Sequence, residues 1–300
     1  MKIAIVTQKK WLTRLPKNEY SENVWLEDQL IVDAFESIGV KTIRVSWDDP
    51  SLNWSKFDAL VLRAVWDCFE RFPEFQDWLN KVNKQTQLIN PFKTIQTNID
   101  KRYLLDLKEK GITIAPTLFI EQNARKGLSE FVANSDWEEL ILKPVFSSCA
   151  RHTYRFKWEE AEQFEGVFKT LIQNESMMLQ EFQKNILTEG EVSLMFFGGK
   201  YSHAVLKRGK KGDFRVQDDF GGSVENFNPS QEAIVFANRC ITACDELPVY
   251  ARIDIFKDNK EAWCLGELEL IEPELWFRNS QESAVRFAQS VTEKLTALKI

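Results

Sequence analysis

Histidine and cysteine are scarce in this sequence, and their scarcity removes several kinds of chemistry at the outset. Two histidines, His152 and His203, and five cysteines, Cys68, Cys149, Cys240, Cys244 and Cys264, serve 300 residues. An odd number of cysteines in a chain of this size does not build a disulfide framework. Cys240 and Cys244 lie four apart in an apolar helical pattern, where packing accounts for them. Neither histidine stands at ligand spacing from that pair, so zinc has little to bind. No Gly-x-Ser-x-Gly elbow occurs, which leaves a serine hydrolase without its nucleophile turn. A basic excess is missing too: the formal net charge is −6 with 28% charged residues. That balance argues against a nucleic-acid binder, whose face would be clustered and basic, but not against a nucleotide, whose site can be locally basic. No apolar run approaches the ~20 residues that cross a bilayer. The short run in MKIAIVTQKKW is below signal-peptide length, so a cytoplasmic enzyme is expected, with a homodimer as the prior for a soluble enzyme.

What is present is an apolar content of 44%, enough for two or three packed subdomains. The first part alternates strand and helix. KIAIVT (Lys2 to Thr7) reads as a buried strand; Val24, Leu30, Ile31, Phe35 and Ile38 then recur at helical spacing, and Gly39 stands where a helix stops. VKTIRVS and FDALVLR follow as strands, then a helix around Phe75, Trp78, Leu79 and Val82, then QLIN. Such repetition favours a parallel sheet covered by helices. Ligands bind at the carboxyl ends of strands in these sheets, which nominates Arg63, Trp66 and Asp67. A second unit is expected to open with a helix containing Lys101, Tyr103, Leu104 and Leu107. Strands at Thr117 to Ile120, Leu140 to Pro144 and MMLQEF follow, with a helix over about Trp158 to Ile172. From Glu191 the texture turns antiparallel, ending in the hairpin YARIDIFK…EAWCLGELEL, turned at DNK, and an amphipathic helix over roughly Ser280 to Leu298. The expected fold class is α/β with α+β character later in the chain. The expected units are 1–95 (parallel sheet, substrate side), 96–182 (small nucleotide-binding subdomain) and 183–300 (metal-bearing subdomain).

The hairpin carries the densest chemistry. Arg252 and Asp254 share one strand face by period-two alternation, as do Glu267 and Glu269 on the partner strand. Three carboxylates facing one another among apolar residues repel unless cations sit between them. Hard oxygens of this kind suit Mg²⁺; a solvated sheet face with alternating charges is the competing explanation. Lys143, at the end of ELILKP, and Lys101 suit a phosphate chain as point charges, or snorkel from their elements. LQEF, followed by Gly190 and Glu191, offers backbone groups to an adenine edge and a carboxylate to ribose hydroxyls. The segment after Lys207 and Arg208, GKKGDFRVQDDFGG, adds Arg215 and the adjacent Gly221 and Gly222, which let backbone N–H groups approach an anion.

In this order the segments NPFKTIQTNIDKRYLLDLKEKGITIAPT, LILKP, LQEF…GEVSLMFFGGKYSHAVLKR, GDFRVQDDFGG and RIDIF…GELELIEP resemble the ATP-grasp superfamily over nearly the whole chain. LRAVWDCFERFPEFQDWL and ELELIEPELWF look most like the small ligases related to the D-cycloserine-forming cyclo-ligase, and GDFRVQDDFGG resembles the matching loop of glutathione synthetase. The resemblance implies an ATP-grasp fold and an ATP-dependent carboxylate ligase. It implies that Lys101, Lys143 and Lys207 contact the nucleotide, that Glu181 and Phe182 line adenine, and that Glu191 holds ribose. Asp254, Glu267 and Glu269 would hold two Mg²⁺. Arg252 would stabilise the transferring phosphoryl group, while Arg215, Gly221 and Gly222 would face the acyl phosphate and Arg63, Trp66 and Asp67 the substrate. Two departures stand out. PVFSSCARHTYRF replaces a glycine-rich phosphate loop, and Glu267-x-Glu269 replaces the usual Glu-x-Asn. Partners are then a small carboxylate and a nucleophile, with neither nucleic acid nor membrane. The alternatives are an amino-acid ligase acting on a peptide or protein terminus, and a non-catalytic ATP-binding module.

Overall fold

The computed structural model describes residues 1–14, 18–147, 150–210 and 221–298. Strands β1 (Lys2–Thr7), β2 (Lys41–Ser46), β3 (Ala59–Leu62) and β4 (Gln87–Ile89) form a parallel sheet in the order β2-β1-β3-β4. β1 is buried at every position after Lys2, as expected of a strand covered on both faces. Helix α1 (Glu19–Ser37) begins on Asn18, whose side chain accepts from the Ser21 amide at 2.9 Å while Ser21 Oγ accepts from the Asn18 amide, a reciprocal cap. It ends at Gly39, whose φ of 75° needs no Cβ penalty. Helix α2 (Phe72–Val82) turns Phe75, Trp78, Leu79 and Val82 inward, as their spacing requires.

Helices α3 (Phe92–Asn98) and α4 (Tyr103–Glu109) lead to a second sheet. Its strands are β5 (Thr117–Ile120), β6 (Glu139–Pro144), β7 (Tyr154–Lys157) and β8 (Met177–Glu181), in antiparallel order β5-β8-β6-β7. Helices α5 (Leu128–Ala133) and α6 (Ala161–Ile172) pack together against it. After the single turn α7 (Ile186–Glu189), strands β9 (Glu191–Phe197), β10 (Lys200–Arg208), β11 (Ser223–Phe227), β12 (Tyr250–Lys257) and β13 (Trp263–Glu269) form an antiparallel sheet in the order β11-β10-β9-β12-β13. Helix α8 (Gln231–Thr242) buries Phe236, Ala237, Cys240 and Ile241 against it; packing indeed accounts for Cys240.

Two local expectations need correction. Lys101 lies between α3 and α4 and not inside a helix: Asp100 Oδ1 accepts from the Arg102 amide at 2.8 Å, and the Lys101 amide donates to Val145 O at 3.2 Å. These local bonds compete with helix continuation. The segment after Lys143 also contains β7, which pairs with β6.

Helix α9 (Glu282–Ala297) returns to the first sheet and packs on α1, with Phe287 against Phe35. Phe287 is fully buried among Phe197, Tyr250 and Phe277, worth roughly 2–3 kcal/mol for a side chain of this size. Polar stitching joins the same units. Asn90 Nδ2 donates to Tyr250 O and Leu270 O, both at 2.8 Å, and Tyr250 Oη donates to Ile271 O at 2.8 Å. No helix among the described residues is long and apolar enough to cross a membrane.

Candidate active site

A cleft of about 280 Å³ lies between the second and third sheets, with Tyr20, Trp66 and Phe69 of the N-terminal part on its lining. On its floor, the β12–β13 register sets Arg252 opposite Glu269 and Asp254 opposite Glu267. Alternation then turns all four toward the cleft, which they line. One carboxylate oxygen each of Asp254, Glu267 and Glu269 lies within 4.8 Å of the other two. Each acid is met by cations of the chain. Lys101 Nζ donates to Glu267 and Arg252 to Glu269; Arg252 Nη2 and Lys207 Nζ reach Asp254 Oδ2 at 3.0 and 3.1 Å. Lys207 also pairs with Glu191, and Ser193 Oγ donates to Asp254 Oδ1 at 2.6 Å.

The cluster is electrostatically uneven. Burial alone would raise the Asp254 carboxyl, but Arg252 and Lys207 outweigh it and hold it at about 2. Burial likewise opposes ionisation of Glu267, and Lys101 and Lys143 overcome it to lower its pKa. Glu269 goes the other way: burial, only partly offset by Arg252 and reinforced by Glu267 and Asp254, pushes it up to about 8. Three hard oxygen donors, one of them too crowded to ionise freely, match what a small divalent cation neutralises. The donor set therefore fits Mg²⁺. Burial and the neighbouring Lys101 push the Lys143 amine down to about 8, against the pull of Glu267 and Glu191.

Glu181 and Phe182, at the end of β8, line the far side of the cleft with Ile141, Phe256 and Leu265. The Glu181 and Phe182 amides are already committed, to Pro116 O at 3.0 Å and Glu139 O at 2.8 Å. Arg155 lies 3.9 Å over the Phe182 ring. Glu191, Lys207, Lys101 and Lys143 are all on the lining.

Residues 150–152 after Lys143 are built without glycine. Ala150 and His152 take left-handed conformations at φ 51° and 50°, which costs non-glycine residues energy. Contacts with the rest of the fold offset this. Arg151 donates to Glu175 and, at 3.0 Å, to Phe146 O. The Phe146 ring packs on Phe72 and Phe69 at centroid distances of 4.2 and 5.1 Å.

The N-terminal wall separates the three residues nominated on it. Trp66 lines the cleft, stacked on Tyr20 at 6.4 Å. Asp67 does not: it accepts from Trp47 Nε1 at 2.9 Å and pairs with Arg71 at 3.3 Å. Arg63 does not either. It is 3% exposed, and its Nη2 donates to Glu27 Oε1 at 3.1 Å. The strand-end rule fixes where a residue stands, not where its side chain goes, and here a carboxylate on α1 captures the guanidinium. Gly221 (φ 82°) and Gly222 lead into β11 and are not among the described lining residues. Arg215 lies outside the described residues. Sequence reasoning missed Ser193, Tyr20, Glu272 and Trp276. Glu272 alone left a signal, an acid embedded in the apolar run LELIEP; the rest are visible only through tertiary contact.

Residues 3–90 match the N-terminal domain of D-cycloserine synthetase DcsG, and residues 104–269 match the RimK-like ATP-grasp domain. The cycloserine biosynthesis protein DcsG of Streptomyces lavendulae is 29% identical over 276 residues, 88% of this chain and 92% of that protein. The crystal structure of D-cycloserine synthetase DcsG aligns with a TM-score of 0.86 at 27% identity, covering 98% of this chain and 100% of that one. The ATP-grasp ligase PsnB, complexed with a phosphomimetic variant of its minimal precursor, Mg and ADP, shares the fold at a TM-score of 0.64 and 13% identity, covering 98% of both chains. With a family domain spanning residues 104–269 and Asp254, Glu267 and Glu269 inside it, this chain belongs to the RimK-like ATP-grasp family of ATP-dependent ligases.

Proposed function

We propose that the chain uses ATP and Mg²⁺ to activate the carboxylate of a small amino-acid-like substrate as an acyl phosphate, which an amine or another nucleophile then displaces to form an amide or a ring. ADP and phosphate are the other products. The observation that carries this reading is the acid–cation cluster: Asp254, Glu267 and Glu269 interleaved with Lys101, Lys207 and Arg252 in one cleft.

Mg²⁺ held by the three carboxylates would neutralise charge on the phosphate oxygens. The chain's own cations are then free to change partners. Lys101, paired with Glu267, and Lys143 beside it would contact the phosphates, and Arg252 would face the phosphoryl group in transfer, stabilising charge where it develops. Glu181 and Phe182 bound the adenine, Glu191 takes the ribose, and Lys207 holds Glu191 and Asp254 in place. Trp66 and the first sheet close the substrate side and keep water from the acyl phosphate. Positioning, with no protein nucleophile, supplies the rest. Arg215, Gly221 and Gly222 enter this reading through the resemblance alone, as the groups facing the acyl phosphate.

The direct test is phosphate release from ATP and Mg²⁺ with a panel of amino acids, ureido and hydroxy acids and dipeptides. A carboxylate-dependent burst of ADP and phosphate is expected, and the dipeptide arm separates a small-molecule ligase from a peptide ligase. ATP turnover indifferent to every carboxylate would sink the ligase assignment. Lys143 gives a second test. Burial and Lys101 push its amine down to about 8, and adjacent phosphates favour the protonated form. The KM for ATP should therefore stay flat below pH 8 and rise above it, by up to about tenfold per pH unit. Lys143→Arg should remove that rise; a wild-type profile flat to pH 9 would take Lys143 off the phosphates.

A further inference from the structure

The Arg252 guanidinium is held in its plane and on its face by different parts of the chain. In the plane, Nε and Nη2 each donate to Asp254 at 3.0 Å, and Nη2 also donates to Glu269. Nη1 donates to Glu274 O at 3.3 Å. On the face, the Trp276 ring lies 5.0 Å from the guanidinium, and the same ring lies 5.7 Å from Lys207 Nζ. Both distances are those of a cation–π contact. The two kinds of restraint compete with different things. Asp254 and Glu269 are also the proposed metal ligands, so their grip on Arg252 is a shared one. A ring face occupies none of the guanidinium N–H donors and leaves them for phosphate oxygens.

Indole is a costly choice here if packing is its only task. Trp276 is 3% exposed, and its N–H is buried with no acceptor among the described residues. A phenyl or aliphatic side chain would avoid that cost. What indole adds is the most attractive ring face for a cation. The backbone that carries the ring is fixed as well. Its φ is 47°, left-handed for a bulky residue, and such conformations persist where surrounding structure over-determines them. Glu27 of α1 does so: its carboxylate accepts from the Leu275 and Phe277 amides, at 2.5 and 2.9 Å, on either side of Trp276. The ring that meets Arg252 of β12 is therefore anchored from the N-terminal unit.

We propose that Trp276 is a positioning residue for Arg252: its ring face, anchored through Glu27, keeps the guanidinium aimed at the phosphoryl group in transfer. This rests on the role that the ligase reading gives Arg252. The assay is phosphate release from saturating ATP and Mg²⁺ with the pooled amino acids, ureido and hydroxy acids and dipeptides, with calorimetric titration of MgADP and a melting curve alongside. Trp276→Leu should lower kcat about tenfold, the scale of a partly desolvated cation–π contact. The KM for ATP should hold, because the contact acts on the group in transfer, and so should the affinity for MgADP, which lacks that group. Trp276→Phe, which keeps a ring, should stay within about threefold of wild type; if Trp276→Leu does not fold, this smaller loss is carried through the same comparison. In an Arg252→Gln background, where that cation is gone, removing the indole should cost almost nothing further. A packing role alone predicts the same loss in both backgrounds, with the melting temperature falling in step. That additivity, or a wild-type kcat in Trp276→Leu, overturns the assignment and leaves the ligase reading standing. Arg252→Gln as fast as wild type takes Arg252 off the phosphoryl group and this proposal with it. Phosphate release that no carboxylate stimulates removes the ligase reading as well.

Discussion

Glu267→Gln is expected to cut ADP formation by about a thousandfold, the scale of losing one preorganised electrostatic group at a reacting phosphate, with the protein still folded. The substitution keeps the shape of the side chain and removes one of three carboxylates whose oxygens share a 4.8 Å neighbourhood. It also removes the partner of Lys101, whose amine is held charged against burial mainly by Glu267. On the proposed reading both effects act on the phosphates: the carboxylate grip on Mg²⁺ would weaken, and Lys101 would lose the group that positions it. β12 and β13 do not depend on that carboxylate, since their backbone pairing runs through both strands and Leu265 and Leu268 stay in the core. Steady-state ADP release at saturating ATP and Mg²⁺, with a melting curve alongside, checks this. Full turnover by a pure Glu267→Gln sample would end the metal assignment.

The acid-bearing hairpin was legible in the sequence because alternation is a property of the strand itself: Arg252 and Asp254 must share a face, as must Glu267 and Glu269. The α/β character was legible for the same kind of reason, from buried runs such as KIAIVT and turns such as DNK. What escaped depends on groups far apart in sequence. β7 has little alternation of its own and is held by pairing with β6. Between them, Arg151 donates to Glu175 and to Phe146 O, and the Phe146 ring packs on Phe72, contacts that no local pattern announces. Arg63 is instructive: it stands at the end of β3, as the strand-end rule has it, while its buried Nη2 donates to Glu27, a residue of α1.

That placement turns into the second large expected effect. A cleft-wall Arg63 would yield a raised substrate KM and an unaltered fold on replacement by alanine. The buried Arg63 seen here predicts a loss of about 3–5 kcal/mol, the cost of stranding the other member of a buried ion pair. Arg63 and Glu27 are 3% and 4% exposed, so solvent does little to screen either. Burial raises the Glu27 carboxyl above its ordinary value even against Arg63 and the Leu275 and Phe277 amides. Replacing both members by neutral residues of similar size, as in Glu27→Gln with Arg63→Met, should therefore cost less than Arg63→Ala alone, and a double-mutant cycle in urea reads that difference. Glu27 also fixes the amides on either side of Trp276, so its loss should loosen the cleft wall as well as the fold. A melting curve for Arg63→Ala that coincides with wild type would put Arg63 back among the candidates for substrate contact.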